Sequence, residues 1–322
     1  MRQHLLGIEY LKKSELENYL SNAEAFVEVS QRELKKVPAL RGKTVINLFL
    51  EPSTRTRASF EIAAKRLSAD TVNMTGSESS VTKGETLIDT ARTLQAMAPD
   101  VIVVRHKESG VPNLLVNHIS RASIINAGDG LHEHPTQALL DCLTLKQHFA
   151  AQDRPLEGLK VAIVGDIRHS RVARSNIWAH KLLGNEVRLI APPTLMPPYA
   201  GGAGAFEGGV QIFHSLAEGL EGADVVMVLR MQLERQSEHF VPTIEEYIAE
   251  YGINEHILRR YAPGAVVLHP GPINRGVELS SEVADGPRAL IGNQVTNGVA
   301  VRMAVLFALA TGESAISEQE SA

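Results

Sequence analysis

Val45-Ile46-Asn47-Leu48-Phe49-Leu50-Glu51-Pro52-Ser53-Thr54-Arg55-Thr56-Arg57 passes from an apolar run straight into a polar, cationic turn. The first six residues have the length and near-continuous hydrophobicity of an interior strand of a parallel sheet. A helix follows: Phe60, Ala63, Ala64 and Leu67 fall at i, i+3, i+4 and i+7, with Ser53 placed to cap it. A strand, a short polar loop and a helix start present free backbone N–H groups and the positive end of a helix dipole. Cations are disfavoured there unless an anion compensates them. Arg55 and Arg57 therefore leave two readings, a capped helix with solvated arginines or an anion site in which guanidinium forks meet phosphate oxygens.

Working outward, further short apolar runs alternate with helical patterns. A strand is expected at 71–74, a helix at 87–97, and a strand at Val101–Val104 that ends on Arg105 and His106. Another strand, Ser123-Ile124-Ile125-Asn126-Ala127, leads into Gly128-Asp129-Gly130-Leu131-His132-Glu133-His134-Pro135-Thr136-Gln137, where Pro135 suits the first position of a helix. Strands alternating with helices imply a parallel sheet wound on both faces, whose ligands gather at the C-terminal ends of the strands. Three such ends carry Arg55, Arg105 and His134, and that convergence favours the anion site over the plain cap.

Upstream, Leu16, Leu20, Ala23 and Val27 predict an amphipathic helix over 15–36 that stops before Pro38. Downstream, the polar break at 150–158 sets a domain boundary, and a second α/β set opens with Leu159-Lys160-Val161-Ala162-Ile163-Val164-Gly165-Asp166. Its loop reads Ile167-Arg168-His169-Ser170-Arg171, without the G-x-G-x-x-G that a dinucleotide needs. A helix over 172–183 and a strand over 186–190 follow, then a Pro- and Gly-rich stretch at 192–209 that resists interpretation. A strand at 224–229 delivers Arg230-Met231-Gln232, the polar span 233–241 suits a flap, and Val266-Val267-Leu268 delivers His269-Pro270-Gly271-Pro272-Ile273-Asn274-Arg275-Gly276. The expected fold class is α/β, two doubly wound parallel-sheet domains (1–150 and 151–293) with a C-terminal helix (294–311) packing back on the first domain.

At 322 residues there is material for two cores, and a mean hydropathy of −0.05 is that of an ordinary globular chain. A formal charge of −5 argues against general nucleic-acid binding, so an anion site must be made by local arginines. The single cysteine, Cys142, sits in a helical pattern that buries it, and excludes an internal disulfide or a cysteine-based zinc site. No signal-peptide core opens the chain, and the longest apolar run, 303–310, is short for a membrane span, so the expected setting is cytoplasmic. Ser77–Thr86 has almost no apolar residue and must be an exposed loop, for which composition alone favours a mere linker.

The strand ends collect Arg55, Arg57, Arg105, Arg171 and Arg230 with His134, Gln137 and Gln232, but no paired carboxylates and no Ser-His-Asp arrangement. Such a set binds substrates with several negative charges and works by positioning and by stabilising charge on an oxygen. His134, set among arginines, is expected to stay neutral and to donate one hydrogen bond to a developing oxyanion. His132-x-His134 also invites a metal reading, with Asp129, Asp166 and His269 as further ligands, but the supply of ligands weighs against a metal hydrolase.

Ser53-Thr54-Arg55-Thr56-Arg57 resembles the carbamoyl-phosphate signature of the aspartate and ornithine carbamoyltransferases. The resemblance continues in order through Lys83-Gly84-Glu85-Thr86, Arg105-His106, His134-Pro135-Thr136-Gln137, Arg230-x-Gln232 and His269-Pro270-Gly271-Pro272, over nearly the whole chain. It implies carbamoyl transfer from carbamoyl phosphate to an amino acid's amine, with no cofactor and no catalytic metal. Ser53, Thr54, Arg55 and Thr56 would grip the phosphate, while Thr56, Arg105 and His134 polarise the carbonyl. Gln137 and the backbone carbonyls of Pro270 and Gly271, beside Pro272, would hold the carbamoyl amide.

The resemblance also implies a homotrimer whose active sites lie between subunits, with Ser79 and Lys83 reaching into the neighbour's site, which displaces the linker reading. Association with a regulatory or dihydroorotase-like chain varies within the family. The acceptor implied is aspartate: Arg171, Arg230 and Gln232 match the positions that bind its carboxylates, Lys83 and Pro272 join them, and Gly271 stands where ornithine-specific members carry cysteine. Such a reaction is the first committed step of pyrimidine synthesis. Gly271 also replaces a leucine of some members, and Asn274-Arg275-Gly276 lengthens that loop. Arg168, His169 and Arg275 stay open between substrate contacts and salt-bridge partners.

Overall fold

The computed structural model describes residues 4–76, 86–198, 200, 209–232 and 243–312. The chain divides into two compact units, one made of residues up to Leu143 together with those from Thr296 on, the other of Thr144–Val295. The division falls inside a helix rather than in the polar break after it, because Leu145 and Phe149 pack into the core of the second unit.

In the first unit β1 (Thr44–Phe49), β2 (Asp70–Thr75), β3 (Val101–His106) and β4 (Ser123–Asp129) form one parallel sheet in the order β2-β1-β3-β4. β4 is buried at every position and β1 at all but its first, as continuous apolar runs require when both faces are covered. The edge strand β2 has no buried position, its residues being exposed or half-buried. Among the described residues, α1 (Lys13–Gln31), α2 (Thr54–Arg66), α3 (Leu87–Ala96) and α4 (Val111–Val116) lie wholly in this unit, and α5 (Pro135–Ala150) begins in it. Phe60, Ala63, Ala64 and Leu67 are all fully buried, the face that the spacing predicts.

Helix α1 ends five residues before the expected 36, since the stretch beyond it offers no apolar face and Leu34 is 75% exposed. Its start is set by the Glu15 carboxylate, which accepts from the Lys12 N–H at 2.8 Å. Within it Phe26 and Val29 are buried, whereas Val27 is only partly so. The chain before α1 lies along β4: Leu5 N–H donates to the Ile124 carbonyl and its own carbonyl accepts from Asn126 N–H, both at 2.9 Å.

The second unit repeats the plan. β5 (Lys160–Val164), β6 (Glu186–Ile190), β7 (Val210–Phe213), β8 (Val225–Val228) and β9 (Val266–Leu268) pair in parallel in the order β7-β6-β5-β8-β9. Val161, Ile163, Leu189 and Met227 enter one hydrophobic cluster and Ala162, Val164, Ile190 and Val226 another, so alternate residues of each strand feed opposite layers. The helices are α6 (Arg171–Leu182), α7 (Leu216–Leu220), α8 (Ile244–Tyr251), α9 (Glu255–Tyr261) and α10 (Ser281–Ala284). Of the stretch 192–209, residues 192–198, 200 and 209 are described: they hold a 3-10 turn, Pro193–Leu195, with Leu195, Met196 and Ala200 in the core, and the rest lies outside the described residues.

In each sheet the strand order reverses beside the first strand, between β1 and β3 and between β5 and β8. The helices on either side of such a reversal diverge and leave room at the C-terminal strand ends. α11 (Ile291–Thr311) starts three residues earlier than the pattern suggests. In the first unit Phe307 packs edge-on against Phe26, with centroids 5.9 Å apart, and the Leu309 carbonyl accepts from Ser123 Oγ at 3.0 Å. By length and hydropathy α11 alone among the described helices would reach across a membrane, but 72% of its most apolar 18-residue stretch is buried inside the protein, as in a core helix.

One buried group makes stability pH-dependent. His180 of α6 is fully buried, and burial lowers its pKa from 6.5 to about 4. Below pH 6.5 the unfolded chain takes up a proton that the folded chain refuses, so stability falls as pH drops from about 6.5 to about 4. The loss reaches about 3 kcal/mol from this group. Denaturant titrations across that range should show it, and His180→Gln should flatten the dependence.

Candidate active site

At the reversal point of the first sheet, α2 begins directly after β1. Ser53 occupies the N-cap position with extended backbone, yet its side chain makes no capping hydrogen bond, and the first turn holds no acidic residue. That is unlike the caps at Thr86, Ser170, Thr243, Asn254 and Ser280, whose side chains each accept from a backbone N–H. Thr54 and Arg55 are exposed, Arg57 is half-buried, and Thr56 is buried.

The neighbouring strand end supplies Arg105. Its Nε lies 3.1 Å from Glu51 Oε2, and an Nη donates to the Ala127 carbonyl at 3.0 Å. The same residue's carbonyl accepts from the Leu50 and Glu51 N–H groups, so the ends of β1 and β3 are knitted together. Sequence reasoning missed Glu51, although it lies within the deciding stretch, because a single carboxylate there has no distinguishing pattern. His106, by contrast, braces its own turn, its Nδ1 accepting from Glu108 N–H at 2.9 Å; burial lowers its pKa.

His134 and Gln137 stand at the start of α5, 5% and 8% exposed. Gln137 N–H donates to the His134 carbonyl, and its side-chain Nε2 donates to the fully buried Asp141 at 3.0 Å. Asp141 was not singled out from sequence; its i+4 spacing from Gln137 is the signal that finds it. Cys142 beside it is fully buried, and burial pushes its thiol pKa upward, as a core cysteine rather than a nucleophile requires.

His132 does not pair with His134 around a metal. Its Nδ1 lies 3.1 Å from Asp129 Oδ2 and its Nε2 2.9 Å from Glu9 Oε1. The hydrogen bonds with Asp129 and Glu9 raise its pKa to about 10, so the ring is an imidazolium without a lone pair for a cation. Glu9, His132 and Glu133 come close enough to ligate together, but the Glu133 carboxylate is engaged by the Ile8 and Glu9 N–H groups. Asp166 and His269 have partners of their own.

In the second unit β5 is followed by Gly165, whose φ of +120° and approach to the Leu229 carbonyl, 3.1 Å from where a Cβ would stand, disfavour any side chain. Asp166, fully buried, accepts from His169 N–H at 3.2 Å and pairs with His169 Nδ1 at 2.8 Å. Ser170 caps α6, and Arg171, its first residue, is 4% exposed. Arg168 reaches the Thr194 carbonyl at 3.5 Å. Arg230 and Gln232, half-buried, follow β8 on the other side of the reversal.

The loop after β9 is wound around a buried carboxylate that the sequence did not reveal. Glu278 Oε1 lies 3.1 Å from His269 Nε2 and accepts from Asn274 N–H at 2.6 Å, and His269 Nδ1 accepts from Gly271 N–H at 2.8 Å. Asn274 Nδ2 donates to the Met231 carbonyl at 3.3 Å, tying Pro270-Gly271-Pro272 to the Arg230-Met231-Gln232 segment; the Gly271–Pro272 peptide is cis. Arg275 makes a bidentate pair with Asp285, both contacts 2.7 Å, and so is a salt-bridge partner. Ser79, Lys83 and the expected flap at 233–241 lie outside the described residues.

Residues 3–147 match the family model for the carbamoyl-phosphate-binding domain of aspartate/ornithine carbamoyltransferases, and residues 157–309 match that for the Asp/Orn-binding domain. The aspartate carbamoyltransferase catalytic subunit of Magnetococcus marinus is 54% identical over 99% of this chain and 96% of its own length. The Trypanosoma cruzi aspartate transcarbamoylase, solved with carbamoyl aspartate and phosphate, superposes with a TM-score of 0.83 at 28% identity, covering 95% of each chain. The ornithine carbamoyltransferase of Thermus thermophilus reaches 0.81 at 27% identity, covering 96% of this chain and 99% of its own, so the fold by itself does not select the acceptor. Both domain models match in order and a relative is 54% identical over nearly the whole length: the chain belongs to the aspartate/ornithine carbamoyltransferase family.

Proposed function

We propose that the protein transfers the carbamoyl group of carbamoyl phosphate to the amine of L-aspartate, giving N-carbamoyl-L-aspartate and phosphate. The observation that carries this reading is the pair of strand-order reversals, one set with Ser53–Thr56 and Arg105, the other with Arg171, Arg230 and Gln232. The near-full-length relative that is an aspartate carbamoyltransferase catalytic subunit supports it. So does the acceptor chemistry: aspartate brings two carboxylates to Arg171 and Arg230, whereas the cationic side chain of ornithine would meet like charge.

In this reaction the unprotonated amine attacks the carbamoyl carbon. A C–N bond forms as the carbonyl electron pair moves onto oxygen, and Thr56, Arg105 and His134 stabilise that oxyanion. Collapse breaks the C–O bond and expels phosphate, held by Ser53, Thr54, Arg55 and Thr56; the proton leaving nitrogen passes to the phosphate. Gln137 and the carbonyls of Pro270 and Gly271, beside Pro272, orient the carbamoyl amide. The hydrogen bond from Gln137 to Asp141 and the Glu278-centred loop hold those groups ready, which lowers the ordering cost at the transition state.

The same reading assigns Ser79 and Lys83 to a neighbouring subunit's site in a homotrimer. It places the enzyme in the cytoplasm at the entry to pyrimidine synthesis, alone or with a regulatory or dihydroorotase-like chain.

Supplying carbamoyl phosphate with aspartate or ornithine and measuring the carbamoylated product tests the acceptor: aspartate should turn over, and carbamoylation of ornithine alone would overturn the assignment. Arg55→Ala should lower kcat/KM by about 100- to 1,000-fold, because a phosphate dianion loses its forked partner; a near-normal rate would place the phosphate elsewhere. Arg230→Gln should raise the KM for aspartate by about 10-fold or more, with little change in that for carbamoyl phosphate. Mixing inactive Arg55→Ala with inactive Lys83→Ala subunits should restore partial activity if sites are shared, whereas a mixture that stays dead counts against sharing.

A further inference from the structure

Glu133 precedes His134 and is fully buried, an expensive location for a carboxylate unless it is hydrogen-bonded. Both of its oxygens meet the segment before α1: Oε2 accepts from Ile8 N–H at 2.9 Å and Oε1 from Glu9 N–H at 3.1 Å. The approach is close enough that a Cβ on Gly7 would stand 2.5 Å from Glu133 Oε1. Loop and segment are stitched at further points. Asn126 Nδ2 donates to the Leu6 carbonyl at 2.9 Å and to Asp129 Oδ1 at 2.8 Å. Asp129 in turn accepts from Glu133 N–H at 3.2 Å and Gly110 N–H at 2.7 Å, and His132 bridges Asp129 and Glu9.

We propose that Glu133 is a positioning residue for His134, its carboxylate clamping the Leu5–Glu9 segment against the Gly128–His134 loop so that the imidazole is fixed at the start of α5. The inference rests on the carbamoyl-transfer reading, in which His134 donates to the oxyanion. No function in that reading falls to Glu133 itself or to the N-terminal segment. The clamp joins parts of the chain some 125 residues apart and ends one peptide bond from His134. A displacement of about 1 Å at a group that must meet a developing charge costs on the order of 100-fold in rate. His132, charged at neutral pH, ties the same two segments from the solvent side through Glu9 and Asp129.

Glu133→Gln removes the charge and one acceptor, and Gly7→Ala disturbs the clamp by crowding the Glu133 carboxylate from its other side, with every residue of the loop unchanged. Both variants should lower kcat by about 10- to 100-fold with little change in the KM for carbamoyl phosphate. In a His134→Ala background Glu133→Gln should cost nothing more, because both changes act through one group. An equal loss in both backgrounds, or wild-type kcat in both variants, overturns the proposal. A second readout does not depend on turnover: the imidazole resonance of His134, identified by its loss in His134→Ala, should shift or split in Glu133→Gln protein. An unmoved resonance also overturns the proposal. Absence of carbamoyl transfer by the unmodified protein would instead refute the functional reading, with the resonance still deciding the clamp.

Discussion

Parallel strands cannot be joined by tight hairpins, so each pairing in this protein is reached through a crossover, and the crossovers turn first to one side of the opening strand and then to the other. At that reversal the connecting segments part, and the C-terminal ends of two adjacent strands stand open to ligand. The rest of the structure depends on this constraint twice over. It decides why Ser53 and Arg105 come together after β1 and β3, and why Asp166–Arg171 and Arg230 do so after β5 and β8. The two units are the same solution, furnished with different side chains.

Those side chains are largely cationic, and carboxylates, most of them buried, brace them or the loops that carry them. Glu51 meets Arg105, Asp166 holds His169 in the loop leading to Arg171, and Glu278 winds the loop of Pro270, Gly271 and Pro272. Asp141 receives the Gln137 amide, and Glu133 takes two backbone N–H groups behind His134. A carboxylate accepting several hydrogen bonds in a desolvated place fixes geometry more tightly than apolar contact does, and loses more when one partner is removed. Asp129 shows the balance: burial alone would raise its carboxyl, but hydrogen bonds from His132, Gly110 N–H and Asn126 bring it below the ordinary value.

The strands were legible because a parallel sheet covered on both faces writes itself as apolar runs, and those at Val45, Val101, Ser123 and Val266 lie within a residue or two of their predicted limits. What escaped was short or largely exposed: β7 at a sheet edge, α4, α8 and α9 at six to eight residues, and α7 and α10 at five and four. Such elements are specified by neighbours rather than by their own periodicity. The unusual helix start at Ser53 was visible as charge in the wrong place, and its missing side-chain cap bears the same mark. The supporting carboxylates were not visible, because a buried Glu and an exposed Glu look alike until long-range partners are known. The H-x-H pair could be weighed from sequence only by its supply of further ligands, for the same reason: only the fold reveals that Asp129 and Glu9 occupy both nitrogens of His132.

A crystal structure of the protein with carbamoyl phosphate tests the central claim most directly. The account predicts phosphorus density at the start of α2, within hydrogen-bond reach of Ser53 Oγ, the Arg55 guanidinium and the Thr56 N–H, with the carbonyl oxygen facing Arg105 and His134. Density bound elsewhere, with the start of α2 bare, would contradict it.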